Sequence, residues 1–173
     1  METRRVERAA EVAIFLARRR RQEILVVHRC PTLGSFWHAI SGAIETGEGV
    51  DEAAIRELRE ETGLDATETL PLCMRTEFSY RLNQSPRRAG KRVRVCCFLL
   101  DVPDDFEPKL NWEHDEHRWL ATNLAPAYLK WPSLRGALCA VLRLSDGDGA
   151  RPSSRAEKLV SCRGAVRRRV VAP

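Results

Sequence analysis

Glu57, Glu60 and Glu61 fall within the run Arg56-Glu-Leu-Arg-Glu-Glu61, and three carboxylates at that spacing can do chemistry. The stretch from Asp51 to Thr62 is rich in Ala, Glu, Leu and Arg, all good helix formers. Gly63 stands where a left-handed residue commonly ends a helix. At about 100° per residue the three carboxylates share a narrow arc, beside a stripe of Ala54, Ile55, Leu58 and Thr62 that can face a core. A charge run is ordinarily a solvated face. Here, however, Glu57 and Glu61 are a like-charged i,i+4 pair, which costs about 0.2–0.5 kcal/mol unless a cation relieves it. Gly42 and Gly47 allow a tight backbone path ahead of the helix. Hard divalent cations take such oxygens together with phosphate oxygens. From these residues alone, the helix edge is either a solvated face or a site for a hard divalent cation.

The residues around the helix sharpen this. Gly42 to Leu64 has the form G-x5-E-x7-R-E-U-x-E-E-x-G-U, with U an aliphatic residue. Gly42, Glu48, Arg56, Glu57, Glu60, Glu61 and Gly63 occupy the fixed positions. Seven such coincidences have a chance on the order of 10⁻⁸ per start position. The segment resembles the signature of the Nudix hydrolases throughout. The resemblance implies Mg²⁺ (or Mn²⁺) bound by Glu57, Glu60 and Glu61, with the carbonyl of Gly42 assisting. It implies that Arg56 and Glu48 tie the loop to the helix, and that a glutamate in or outside the run is general base. The implied reaction is hydrolysis of a nucleoside diphosphate linked to another group, with the metal neutralising phosphate charge and activating a water.

Length and charge bound the rest. The chain has 173 residues, a one-domain length with enough apolar content for a core. No run of 18 or more apolar residues suggests a membrane span, and the N-terminus lacks the form of a secretory signal. Six cysteines show neither C-x-x-C nor zinc spacing, which fits reduced thiols in a cytoplasmic protein. The net charge of +5 comes from the end of the chain: Ala150–Pro173 carries seven Lys/Arg against one acid, leaving the body near −1. The expectation is a domain over residues 1–147 and a basic, disordered tail over 148–173. No specific nucleic acid and no membrane partner is expected, and the protein is read as a monomer or homodimer.

The elements that must position the carboxylates can be read in outline. Glu11–Ala17 and Glu23–His28 form a hairpin with a basic tip. Pro31–Ser41 reads as a loop, Ala66–Tyr80 as one or two strands, Asn83–Lys91 as a basic loop and Val93–Val102 as a central strand. His117–Leu120 reads as a short strand, and Leu124–Leu144 as helix interrupted near Pro132. Periodicity alone allows α/β or α+β. The resemblance implies the α/β Nudix fold, a mixed β-sheet sandwiched between helices, over roughly residues 8–145.

Three features outside the signature bear on the substrate. Phe36-Trp-His-Ala-Ile-Ser-Gly42 lacks the Pro-Gly-Gly of many nucleotide-cleaning relatives and resembles the dihydroneopterin triphosphate pyrophosphatases, also described as dATP pyrophosphohydrolases. Arg75, Arg87, Arg88 and Lys91 are candidates for gripping a triphosphate. Asn111-Trp-Glu-His-Asp-Glu-His-Arg-Trp-Leu120 resembles a segment of that branch whose glutamate completes the metal site, here Glu113, with Asp115 and Glu116 as rivals. Trp37 and Trp119 read first as core aromatics, Trp37 also as a candidate ring platform, and His114 and His117 as loop residues rather than catalysts. The reading is a metal-dependent pyrophosphohydrolase that cleaves a nucleoside or pterin triphosphate to the monophosphate and pyrophosphate. The alternatives are a dinucleoside polyphosphate or oxidised-dNTP hydrolase, or a ligand-sensing domain without catalysis.

Overall fold

The computed structural model describes residues 10–66, 74–81 and 92–145. The expected basic loop with Arg87, Arg88 and Lys91, and the expected tail over 148–173, lie outside the described residues. The elements are β1 (Ala10–Arg18), β2 (Glu23–Arg29), β3 (Phe36–His38), β4 (Ile40–Ala43), α1 (Val50–Thr62), β5 (Met74–Arg81), β6 (Arg92–Asp101), β7 (His114–Ala121), α2 (Ala125–Tyr128) and α3 (Pro132–Ser145).

The sheet is mixed and it forks. β1 runs parallel to β6 along its whole length, and β6 is antiparallel to β5, so the apolar strand β6 is central as expected. β1 and β2 pair only at their shared tip, Ala17 with Ile24 and Arg18 with Glu23. Beyond the tip they splay apart. β4 takes the edge of β1 that this frees, from Glu11 to Ile14, and β3 takes the matching edge of β2, from Val27 to Arg29. β7 lines the other edge of β2, with a bulge where Arg29 faces His114 and Asp115 is passed over. Pro31–Ser41 is therefore a 3₁₀ turn followed by two short strands, not a plain loop. Strands of three and four residues give too little alternation to be read in advance.

Alternation along the strands builds two cores. Ala13, Phe15, Ile24, Val26, Cys97 and Leu99 pack against α2 and α3. Val12, Ile14, Leu25, Val27, Cys96 and Phe98 pack against Ala53, Ala54 and Leu58 of α1. The layering is the helix–sheet–helix sandwich that the α/β expectation required. The described cysteines, Cys30, Cys96, Cys97 and Cys139, are not joined in disulfides.

Helix α1 begins and ends on glycine. Glu52 accepts the Gly49 N–H at 2.6 Å, and Asp51 and Glu52 place negative charge at the positive end of the helix dipole. At the other end Gly63 has φ +68° and its N–H returns to the Arg59 carbonyl at 3.0 Å. Proline 132 divides the expected C-terminal helix, and α3 starts on it.

Candidate active site

The helix face differs from the expectation in one respect. Glu57 and Glu61 do not sit beside the buried stripe; they belong to it, with 8% and 2% of their surface exposed. Ala53 joins the expected stripe, and Ile55 packs against the same core while half-buried. The cause is β4, whose backbone passes directly over this helix edge. Ser41 N–H donates to Glu61 Oε2 at 3.2 Å. At Gly42 an added Cβ would land within the Glu57 carboxylate, 2.6 Å from Oε2 and closer still to Oε1. Glycine is thus needed at position 42 for close approach rather than for an unusual φ. Glu60 lies one step round the helix and is exposed.

Arg56 organises this edge. Its guanidinium donates to Glu48 at 2.9 and 3.0 Å, to Glu57 at 2.6 Å, to the Ala43 carbonyl at 2.9 Å and more weakly to Glu60 at 3.4 Å. One side chain thereby joins the end of β4, the loop before the helix and the carboxylate row. This is the loop-to-helix tie expected of Arg56 and Glu48.

Burial dominates the electrostatics. It pushes the Glu61 carboxyl from its ordinary 4.5 up to about 8, against the hydrogen bond from Ser41 and with added repulsion from Glu57 and Glu113. The Glu57 carboxyl is also raised, because its desolvation outweighs the pull of Arg56. The negative charge of Glu113 adds to the upward push on both carboxyls. Asp115 and Glu116, its rivals, are occupied elsewhere: Asp115 pairs with His28 Nδ1 at 2.7 Å, and Glu116 with Arg118 at 2.7 Å.

Glu113 pairs with Arg29. Its carbonyl accepts the Cys30 N–H at 2.9 Å, and its own N–H is held by the Asn111 side chain at 3.0 Å. His114, expected in a loop, opens β7 and is buried, and both of its ring nitrogens lack a partner. Burial, helped by Arg29, pushes its pKa down to about 4. His38 keeps part of its surface exposed, yet burial of the ring pushes it down to about 4 as well. The site therefore contains two imidazoles that are neutral at pH 7. Arg29 went unmarked in the sequence, since a basic residue closing an apolar strand is commonplace.

Other expected contacts lie elsewhere or beyond view. Trp37 packs on the opposite core, 5.1 Å from the His28 ring and 6.0 Å from Tyr128, with Arg118 over its face at 4.9 Å. It is not brought to the carboxylates. The alternation of β3 sends residue 37 to the α3 side, which the residue types alone did not disclose. Trp119 packs in the α1 core as expected, beneath the Arg18 guanidinium at 3.9 Å. Arg75 lies in β5, opposite Phe98 in register.

The donor set suits a hard divalent cation. Buried carboxylates with raised pKa carry a desolvation cost that such an ion would offset. The glycine cradle at position 42 brings a backbone strand against them. Among the described residues no three acidic or imidazole groups already converge on one point. Arg56 engages Glu57 and Arg29 engages Glu113, so two guanidinium groups hold the places a metal would contest.

Comparison with known proteins agrees with this geometry. A family model described as NUDIX domain matches residues 7–140. The dihydroneopterin triphosphate diphosphatase of Escherichia coli is 33% identical over 109 residues, covering 60% of this chain and 72% of that one. The asymmetrical bis(5'-nucleosyl)-tetraphosphatase of Mus musculus is 32% identical over 104 residues, covering 59% and 67%. An octanoyltransferase of Myxococcus xanthus is 31% identical over 128 residues, 74% of this chain but only 34% of that protein, so the chain spans about a third of its length. The solved E. coli dihydroneopterin triphosphate pyrophosphohydrolase superposes with a TM-score of 0.64 at 25% identity, covering 78% of this chain and 95% of that one. With the signature loop, the forked sheet and the buried glutamate pair in place, the chain belongs to the NUDIX domain family.

Proposed function

We propose that this chain is a metal-dependent pyrophosphohydrolase that cleaves a nucleoside or pterin triphosphate to the monophosphate and pyrophosphate. The observation that carries this is the burial of Glu57 and Glu61 side by side against the Ser41–Gly42 backbone, within the field of Glu113. Mg²⁺ (or Mn²⁺) would be held by Glu57, Glu61 and Glu113, with Glu60 at the rim and the Gly42 carbonyl nearby. When bound, such a cation neutralises phosphate charge and lowers the pKa of water. The chain's own groups do the rest. Arg56 orients Glu57 and fixes the loop. Glu60, Glu61 and Glu113 are the candidates to take a proton from the attacking water. His38 and His114, both neutral, add no positive charge that would compete for the carboxylates. Arg75, Arg88 and Lys91 are the proposed grips for the triphosphate.

The substrate class rests on the Phe36–Gly42 and Glu113–His114 segments and on the diphosphatase relative that acts, by its name, on dihydroneopterin triphosphate. The tetraphosphatase relative favours a dinucleoside polyphosphate as second reading. The full complement of signature glutamates argues against a sensor without catalysis. The test is product analysis with dATP, dihydroneopterin triphosphate, 8-oxo-dGTP and diadenosine tetraphosphate in parallel, with Mg²⁺. Pyrophosphate release from the first two at the highest kcat/KM is expected. A clear preference for diadenosine tetraphosphate, giving ATP and AMP, would overturn the substrate and leave the metal site standing.

A further inference from the structure

Arg29 is the last residue of β2 and lies where three elements meet. Across one edge it pairs in register with Phe36 of β3, and across the other with His114 of β7. The bulge at Asp115 sets this second pairing and leaves Glu113 just beyond the strand end. Arg29 Nη2 donates to Glu113 Oε2 while the backbone of Cys30, the next residue, bonds to the Glu113 carbonyl. The two side chains are mostly buried, 22% and 26% exposed. Backbone pairing on both edges of β2 thus fixes where Arg29 and Glu113 meet.

A half-buried guanidinium needs an anionic partner, and a half-buried carboxylate needs a cationic one. We propose that Arg29 is an exchange partner: without metal it neutralises Glu113, and when a divalent cation takes Glu113, the released guanidinium binds the phosphate oxygens of the substrate. Metal and polyphosphate would then help one another to bind over and above any direct contact, because each removes the partner that otherwise silences the other's ligand. By linkage the coupling is equal in both directions. Arginine suits the second role because its planar fork matches phosphate oxygens in pairs. This rests on the reading of Glu113 as a metal ligand.

The test uses the full chain and two probes, Mn²⁺ followed by the EPR signal of the free ion, and inorganic tripolyphosphate followed by calorimetry in metal-free buffer. Arg29→Gln should bind Mn²⁺ about tenfold more tightly than wild type, since one charge-assisted hydrogen bond no longer competes. Glu113→Gln should weaken Mn²⁺ but tighten metal-free tripolyphosphate by about tenfold, since the guanidinium is now free. The double variant should lose that gain. Arg29→Lys, which keeps the charge and loses the fork, should fall between, and melting curves will show that each variant is folded. If Glu113→Gln weakens Mn²⁺ while Arg29→Gln leaves it unchanged, the exchange is wrong and Glu113 remains a ligand. If the double variant, whose net charge equals that of wild type, keeps the tripolyphosphate gain, the gain does not come through Arg29 and the exchange is again wrong. If Glu113→Gln leaves Mn²⁺ affinity intact, the reading of Glu113 as a ligand fails and the exchange fails with it.

Discussion

Replacing Glu61 with glutamine should make the metal-free protein more stable and the enzyme nearly inactive. The carboxyl is 2% exposed and pushed from 4.5 up to about 8. A carboxyl whose pKa is raised on folding keeps its proton in the native state while the unfolded chain gives it up. Its destabilising effect is therefore absent below the unfolded value, grows as pH rises from 4.5, and levels off above about 8. At pH 7 the gap to the unfolded value is about 2.5 pH units, or about 3 kcal/mol at 1.36 kcal/mol per unit. Glutamine has nearly the same shape, keeps an oxygen for the Ser41 N–H, and carries no charge to desolvate. In calorimetric melts with EDTA, the variant should gain about 10 °C at pH 7, and almost nothing at pH 4.5. Addition of Mg²⁺ at pH 8 should raise the melting temperature of wild type much more than that of the variant. Turnover at saturating Mg²⁺ should fall on the order of 100-fold or more. A metal-free variant that melts no higher than wild type at pH 8 would refute the argument from burial. Near wild-type turnover would refute the role of the charge.

Gly42→Ala should leave the melting temperature close to wild type, since the clash is with a side-chain end, yet weaken Mn²⁺ binding by about tenfold or more, as Glu57 must move; unchanged Mn²⁺ affinity would count against the cradle. Arg56→Lys removes the fork that spans Ala43, Glu48 and Glu57 and should lower kcat about 10- to 100-fold, read by steady-state kinetics under saturating metal. Among Glu113→Ala, Asp115→Ala and Glu116→Ala, the first alone should cut kcat severely, because Asp115 and Glu116 are paired with His28 and Arg118. A silent Glu113→Ala beside an inactive Glu116→Ala would mean that the distal carboxylate is misassigned.

The carboxylate row was legible because its logic is local. Helix period, glycine ends and like-charge spacing all lie within Gly42–Leu64, and α1 follows them to its last residue. Glu113 was singled out only through its segment, and its pairing with Arg29 is a product of strand register. What the sequence did not disclose was non-local. The fork between β1 and β2 depends on which edges β3 and β4 fill, and strands this short leave no periodic trace. Trp37 has the composition of a stacking residue, but its side of the sheet depends on its partner His28. Arg29 meets Glu113 by virtue of a bulge at Asp115 in β7, far along the chain, which no residue near position 29 signals. That Glu57 and Glu61 are buried, rather than lining a solvated edge, follows from Gly42 across the interface and not from the helix itself.

The bulge at Asp115 also separates two registers. From Glu116 to Ala121, β7 is locked to β2 by regular pairing, and a one-residue slip would turn Trp119 and Leu120 to the wrong cores. Upstream of the bulge the pairing resumes one residue out of step, with His114 opposite Arg29 and the Glu113 carbonyl accepting the Cys30 N–H. The bulge acts as an offset coupling: the scaffold keeps its register while the residue that carries the distal carboxylate is stepped along β2. Were β7 to run straight, Asp115 would stand opposite Arg29 and Glu113 would be carried one residue further from it.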